Sequence, residues 1–328
     1  MELSIVIVNW NVRELLRNCL SSLAELSSGD APPNEVIVVD SGSSDGSREM
    51  VRGSFPSVQL VASPSNLGFV RGNNLGVALS HGRFVLLLNP DTEVKAGSLR
   101  AMVQYMGTHP DVGVVGPRLL HANGQVQPSR RRFPTLATAF VESTMFQPWF
   151  SRSRILRQYY VQDVDDDEEQ DVDWLVGACL LIRREAWDQV GPLDEHIFMY
   201  SEEPDWCRRA AAAGWRAVYL PSAMVVHHEA QSSSQVFGQR HIYFQSSKVY
   251  YFRKHHGLLT GEVLRLFLLG TYVCQMLLEA AKWLLGSRRE LRKERVNAYA
   301  AVLRSGLRSP GAGPVPNSFL PQREGDGS

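Results

Sequence analysis

Acidic and imidazole side chains gather at a few points of this chain, most of them directly after apolar runs. VIVVDSGSSDGS places Asp40 at the end of such a run and follows it with small turn residues. A carboxylate there can accept a hydrogen bond from a ribose hydroxyl or a pyrimidine imide N–H, and small neighbours let a ligand approach the backbone. Asp45, just before Gly46, reads more simply as a helix cap. SNLGFVRGNNLGVA packs Asn66, Gly68, Gly72, Asn73, Asn74 and Gly76 between a strand and a helix, a composition suited to tight turns whose amides face a polar ligand. LLLNPDTEV ends on Asn89, Pro90 and Asp91. If the ligand carries a diphosphate, a divalent cation held by one or two carboxylates, phosphate oxygens and water would neutralise it, and Asp91 is the residue placed to hold that cation.

The densest group is DEHIFMYSEEPDWCRRAAAAGW, with Glu202 and Glu203 at the start of a helix and Asp205 in its first turn, where the helix dipole favours anions. A hydroxyl that attacks an anomeric carbon in line with a departing diphosphate needs one base to take its proton. A carboxylate pair can supply it, each member tuning the other by like charge; plain N-terminal capping is the alternative. In VVHHEAQSSS, His227 and His228 close another strand, where a neutral imidazole binds a metal or hydrogen-bonds a phosphate.

Strand ends can act together only if one sheet gathers them. The first third alternates LSIVIV, EVIVVD, VQLVAS and RFVLLLN with helix-compatible stretches, and such continuous Val/Ile/Leu runs suit strands buried on both faces. The expected architecture is α/β with a mostly parallel central sheet flanked by helices, and ligands bind beyond the carboxyl ends of such strands, where Asn9, Asp40 and Asp91 fall. The acidic run DVDDDEEQDVD (163–173) reads as a solvated surface loop. A helix is expected over 204–213, with Pro204 in its first turn and Gly214 as its stop.

Composition narrows the remaining choices. The chain has 328 residues, 44% hydrophobic, with 34 basic and 34 acidic side chains, so no global field favours a nucleic-acid partner. Four cysteines without a C-x-x-C pair point to a reducing cytosol, and the N-terminus lacks a signal-peptide pattern, so the catalytic part is expected on the cytoplasmic side. No G-x-G-x-x-G follows an early strand, which argues against a dinucleotide-binding oxidoreductase. Residues 264–286 are apolar but interrupted by Arg265, Gln275, Glu279 and Lys282. Their uninterrupted run falls short of the ~20 residues that span a bilayer, which leaves a membrane-surface or core helix. Basic residues at 288–295 would favour anionic headgroups, and the Gly/Pro-rich tail reads as disordered.

Taken in order over 3–257, these elements resemble glycosyltransferase family 2, and within it the rhamnosyltransferase-like enzymes that build bacterial surface polysaccharides. The resemblance implies a GT-A domain over 1–257, with a nucleotide-binding half at about 1–115 and an acceptor-binding half at about 116–257. A helical, membrane-associated extension would occupy 258–305, and a disordered tail 306–328. It implies donor contacts at Asp40, Asn66, Gly68, Asn74 and Asn89, and a Mg²⁺ or Mn²⁺ held by Asp91 and His227. The base motif, elsewhere E-D, is here Glu202-Glu203, with Glu203 as base and about one methylene longer than the usual aspartate. SRRRFPT and YYFRKHHG also look like this subgroup. Arg130, Arg131 and Arg132, with Asp205, would meet the acceptor, a glycan or polyprenol-diphosphate-linked sugar, since guanidinium forks match phosphate oxygens. The implied activity is inverting transfer from a nucleoside-diphosphate sugar, first of all dTDP-rhamnose, to an acceptor hydroxyl at the inner face of the cell membrane. A non-catalytic sugar-nucleotide-binding subunit of the same fold would need no base. A nucleotidyltransferase would want a Gly-rich basic loop after the first strand, where this chain has VNWNVRELL.

Overall fold

The computed structural model describes residues 1–26, 30–228, 237–286 and 288–308. The apolar runs form β1 (Leu3–Asn9), β2 (Asn34–Ser41), β3 (Gln59–Ser63) and β4 (Phe84–Leu88), separated by α1 (Arg13–Ala24), α2 (Ser47–Ser54) and α3 (Gly68–Ala78). β5 (Thr92–Val94), α4 (Ser98–Thr108), β6 (Val112–Leu120) and the two-residue strands β7 (Val126–Gln127) and β8 (Arg130–Arg131) follow. Three short helices, α5 (Leu136–Val141), α6 (Gln147–Phe150) and α7 (Arg154–Tyr159), lead to β9 (Gln170–Val172), β10 (Trp174–Leu175) and β11 (Cys179–Arg183). Last come α8 (Arg184–Val190), α9 (Glu202–Ala212), β12 (Arg216–His227), α10 (Phe237–His256), α11 (Leu258–Leu284) and α12 (Arg289–Ser305).

The main sheet runs β3-β2-β1-β4-β11-β6-β12-β5 and is mixed but mostly parallel, as the strand patterns predict. β11 runs antiparallel to both β4 and β6, so β4, β6 and β12 share a direction with β1 and β2. One sheet edge therefore collects the ends of β1, β2, β4 and β12 together with the start of β11. Side chains alternate across the sheet. Ile5 and Ile7 face α1, α2 and α4, whereas Val6 faces the core that α3, α8 and α9 complete with Val77, Trp187 and Trp206. Gly72 and Gly76 let α3 lie almost on β1, since a Cβ at Gly76 would come within 2.3 Å of Val6.

Two expectations are refined. The acidic run is largely exposed, as expected, but it is tied down, because several of its carboxylates meet basic and phenolic partners from neighbouring elements. Asp166 pairs with Arg130, Asp167 with Arg118 and Asp171 with Arg216, while Glu169 accepts the Tyr105 hydroxyl. Like charges seldom fold alone, and here the paired carboxylates meet cations and donors carried by neighbouring elements. The helical part expected from 258 also includes α10, whose Val249, Tyr251 and Phe252 share a core with Leu264, Leu268 and Val302. α11 is 27 residues long and contains an 18-residue stretch of mean hydropathy 1.5, enough in length and composition to cross a membrane and longer than the interrupted run suggests. The tail expected to be disordered lies, from 309 on, outside the described residues.

Candidate active site

β4 ends in a turn that its own polar atoms close. The Asn89 carbonyl accepts the Thr92 hydroxyl at 2.7 Å, and the Asn89 N–H donates to the Ala178 carbonyl at 2.9 Å. Asp91 follows, only 6% exposed. Pairing of β5 with β12 sets Thr92 opposite His227 and brings the imidazole over the turn, with its Nε2 3.4 Å from Asp91 Oδ1. His227 Nδ1 lies 2.9 Å from the Gln127 side-chain oxygen, which can only accept. With Nδ1 directed at Gln127, Nε2 is the ring nitrogen that faces the carboxylate, the outer-shell arrangement that orients a metal-ligating histidine.

One oxygen and one imidazole nitrogen at this spacing fit a divalent cation that completes its shell with ligand oxygens and water. Among the described residues no group of three or more His, Cys, Asp or Glu could hold a metal by protein ligands alone. The nearby Asn89 Oδ1 is buried without a hydrogen-bond partner in the described structure, a cost that a polar ligand would relieve.

The second part of the site is the start of α9. Tyr200 and Ser201, in front of it, both have left-handed backbones, with φ of 67° and 68°. Each costs on the order of 1–2 kcal/mol for a non-glycine residue. Packing holds them: Ser247 donates to the Met199 carbonyl at 2.8 Å, and the Phe198 ring stacks on Tyr243. The strained turn drives Glu202 inward, to 4% exposure beside a cavity of about 10 Å³ walled by Phe69, Leu87, Leu180 and Trp206. Burial, and after it the charge of Glu203, hold the Glu202 carboxyl well above its ordinary range. Glu203 remains half-buried, its Oε1 accepting the Gly177 N–H at 2.9 Å, and burial raises its carboxyl too. A Cβ on Gly177 would sit 2.6 Å from that oxygen, so glycine is what lets the carboxylate reach the backbone.

Gly177 and Ala178 join the two parts. The N–H of one holds Glu203 and the carbonyl of the other holds the Asn89 turn, so two residues before β11 fix the carboxylate against the Asp91–His227 pair. A half-buried carboxylate of raised proton affinity has the chemistry to take a proton from a hydroxyl.

The other expected site residues are placed as follows. Asp40 is at the same edge but only 1% exposed, and it accepts from Asn9 Nδ2, the Ser43 N–H and Arg48 Nε. It shapes the turn after β2, and a ligand reaching it must displace Arg48. Asn66 is exposed and caps α3 by accepting the Gly68 N–H at 2.8 Å, while Gly68 lies against the Phe198 ring. Asn74 is turned away from this edge. Its amide exchanges hydrogen bonds with the backbone of Leu193, both 3.0 Å, because α3 clamps the 191–201 loop. Asp205 is likewise fully buried in an ion cluster with Arg209, Lys254 and His255 that ties α9 to α10. Those partners outweigh burial and lower its carboxyl, so it holds the helix and does not face an acceptor. Arg130 and Arg132 both contact the acidic run, whereas Arg131 is half-buried and pairs with none of its carboxylates. Gln127, Gly177 and Arg48 were not marked by the sequence reading.

The pattern of Glycosyl transferase family 2 matches residues 4–191. The N-acetylglucosaminyl-diphospho-decaprenol L-rhamnosyltransferase of Mycobacterium tuberculosis is 34% identical over 224 residues, 65% of this chain and 72% of that protein. The rhamnosyltransferase WbbL of Escherichia coli is 26% identical over 52% of this chain and 65% of its own length. Among solved structures, the mannosyltransferase PcManGT of Pyrobaculum calidifontis, in complex with GDP-Man and Mn²⁺, shares the fold with a TM-score of 0.54 and 16% identity, over 93% of this chain and 87% of that one. Fold, strand-end chemistry and sequence agree: the chain belongs to glycosyl transferase family 2, with the GT-A fold, and is a glycosyltransferase similar to the rhamnosyltransferases.

Proposed function

We propose that the chain transfers a sugar, with inversion, from a nucleoside-diphosphate sugar to a hydroxyl of a lipid-linked glycan acceptor in cell-envelope synthesis. The observation that carries this reading is the Gly177–Ala178 link, which fixes a base-competent carboxylate beside a turn able to hold a cation. Glu203 takes the hydroxyl proton as that oxygen attacks the anomeric carbon and the diphosphate leaves on the opposite side. Glu202, more deeply buried, keeps its proton, so the pair does not carry two charges. Asp91 and His227 would hold a Mg²⁺ or Mn²⁺ that, when bound, neutralises the leaving diphosphate. The turn fixed by Asp40, with Asn66 and Asn89, is where the nucleotide would lie. Rhamnose as the sugar is supported by the names of both the mycobacterial and the Escherichia coli relatives, and a diphospho-polyprenol as the acceptor's carrier by that of the mycobacterial one. Purified protein should be stabilised in a melting assay by dTDP-rhamnose above other nucleoside-diphosphate sugars, since a bound donor raises stability by mass action. It should release nucleoside diphosphate only with acceptor present; release of pyrophosphate would mark a nucleotidyltransferase.

The lipid carrier gives α11 a role at the inner membrane face. Leu259, Val263, Leu266, Val273, Leu277 and Leu284 form one exposed stripe at helical spacing, with no charged residue among them. α6 continues this surface: Phe146 stacks on Phe267 of α11 and touches Trp149, which is 73% exposed. A helix with such a stripe lies in the membrane interface, and Arg288, Arg289 and Lys293 just beyond it favour anionic headgroups. Leu266→Glu with Leu277→Glu, both at surface positions, should weaken partition onto phosphatidylglycerol vesicles on the order of tenfold or more and leave the melting temperature unchanged. Unchanged flotation with vesicles would contradict the membrane role.

A further inference from the structure

Three consecutive arginines, Arg130 to Arg132, cross the ribbon beside the base, and their side chains have different work. Arg130 donates to the Asp165 carbonyl at 2.9 Å, pairs with Asp166 and stacks 5.0 Å from the Tyr219 ring. Arg132 lies 3.5 Å from an Asp173 carboxylate oxygen and donates to the Asp171 carbonyl. Both fasten the acidic run. Arg131 differs: its Nη1 donates to the carbonyls of Pro128 and Arg130, and its guanidinium lies 4.6 Å over the Tyr160 ring, with Trp174 at 5.9 Å. Among the described residues no carboxylate stands within 4.0 Å of it, so a half-buried positive charge is oriented by aromatic faces and left without a paired anion.

Its position gives that charge a use. β8 pairs with β10, setting Arg131 opposite Trp174, and Val176 N–H donates to the Ser129 carbonyl at 3.0 Å. The next residue is Gly177, which holds Glu203. The guanidinium thus rides on the ribbon that leads into the residue holding the base, and its charge favours the ionised form of Glu203. On the other side the chain passes from Arg131 through α5 to Phe146, which stacks on Phe267 of α11 and touches Trp149 of α6. Glu142, a half-buried carboxylate that also feels the Arg131 charge, is paired with Lys248 at 3.0 Å.

We propose that Arg131, alone of the three arginines, seats the diphosphate of the lipid-linked acceptor between the base and the membrane face. This rests on the glycosyltransferase reading above. A planar fork held flat on a ring meets two phosphate oxygens with little further loss of side-chain freedom, which a lysine in the same place would not match.

The test is calorimetric binding of dodecyl diphosphate to the full chain in excess EDTA, which keeps the Asp91–His227 pair from presenting a cation to the same group. An uncharged dodecyl glycoside serves as the control ligand. Arg131→Gln should weaken dodecyl diphosphate on the order of tenfold or more and leave the uncharged ligand unaffected. Arg131→Lys should fall between, and Arg132→Gln should bind as wild type. Equal binding of dodecyl diphosphate to wild type and Arg131→Gln, or equal weakening of both ligands, overturns the subsite. Nucleoside diphosphate release, measured on the same wild-type preparation with donor and acceptor, separates the two readings. Release without diphosphate binding removes only the Arg131 role, whereas no release with any donor removes the transferase assignment.

Discussion

Glu203→Gln is expected to lower kcat by about 10² to 10⁴, the usual contribution of a positioned general base, while donor Kd stays near wild type. The amide keeps the size of the carboxylate and can still meet the Gly177 N–H through its oxygen, so the backbone around the base should hold. It cannot take a proton. Glu202→Gln should reduce turnover less, because Glu202 is buried beside apolar side chains and serves to hold a proton next to the base. The pH dependence has a defined sign. Glu203 works ionised and burial raises its proton affinity above the ordinary 4.5, so the acid limb of kcat/KM should lie above that value and disappear in Glu203→Gln. The folded state also favours the protonated form of Glu202, so stability is lost as pH rises beyond the ordinary carboxylate range. Glu202→Gln removes that loss and should raise the melting temperature at neutral pH. Steady-state kinetics, donor calorimetry and melting curves on both variants check these outcomes; near-normal turnover in both would make the pair structural.

Asp91→Ala is expected to cut activity on the order of 10³-fold or more, with folding intact. A cation on the leaving diphosphate supplies several kcal/mol of charge stabilisation, and each 1.36 kcal/mol is about a factor of ten in rate. Asp91 is placed by backbone pairing: its carbonyl accepts the His228 N–H, a bond alanine retains. Gln127→Met offers a finer test. Gln127 touches the proposed cation only through His227 Nδ1, so removing it should weaken Mn²⁺ binding by about 10- to 100-fold, as outer-shell changes do. Mn²⁺ titration followed by electron paramagnetic resonance reads both variants. Full activity in excess EDTA would contradict the cation assignment.

The parts of this site that were legible in the sequence share one property: they sit at the ends of strands whose apolar runs are unambiguous. Asp40, Asp91 and His227 could be placed at one sheet edge because parallel strands bring their carboxyl ends together, whatever the side chains do. Residue type does not disclose direction, and that is where the reading failed. Asn74 and Asp205 have the chemistry of ligand contacts, yet α3 and α9 turn them toward Leu193 and toward Lys254 and His255, partners 119 and about 50 positions away. Gly177 carries no local signal at all. Its role comes from the antiparallel insertion of β11, which alone among the central strands begins at the edge where the others end. Gln127 was hidden for the same reason, since a two-residue strand makes no periodic pattern. The acidic run is largely exposed, as its composition suggests, but its pairing with Arg118, Arg130 and Arg216 was not legible, because those arginines are scattered along the chain and converge only in the fold.

The most direct measurement is the stereochemistry and stoichiometry of transfer. The purified chain would be incubated with dTDP-β-L-rhamnose, Mn²⁺ and an N-acetylglucosamine-diphosphate lipid, with the new linkage read by nuclear magnetic resonance and the released nucleotide by chromatography. In-line attack by a hydroxyl activated at Glu203 predicts an α-linked product, inverted at the anomeric carbon, with one nucleoside diphosphate released per linkage formed and both lost in Glu203→Gln. A β-linked product, or undiminished transfer by Glu203→Gln, would contradict the account.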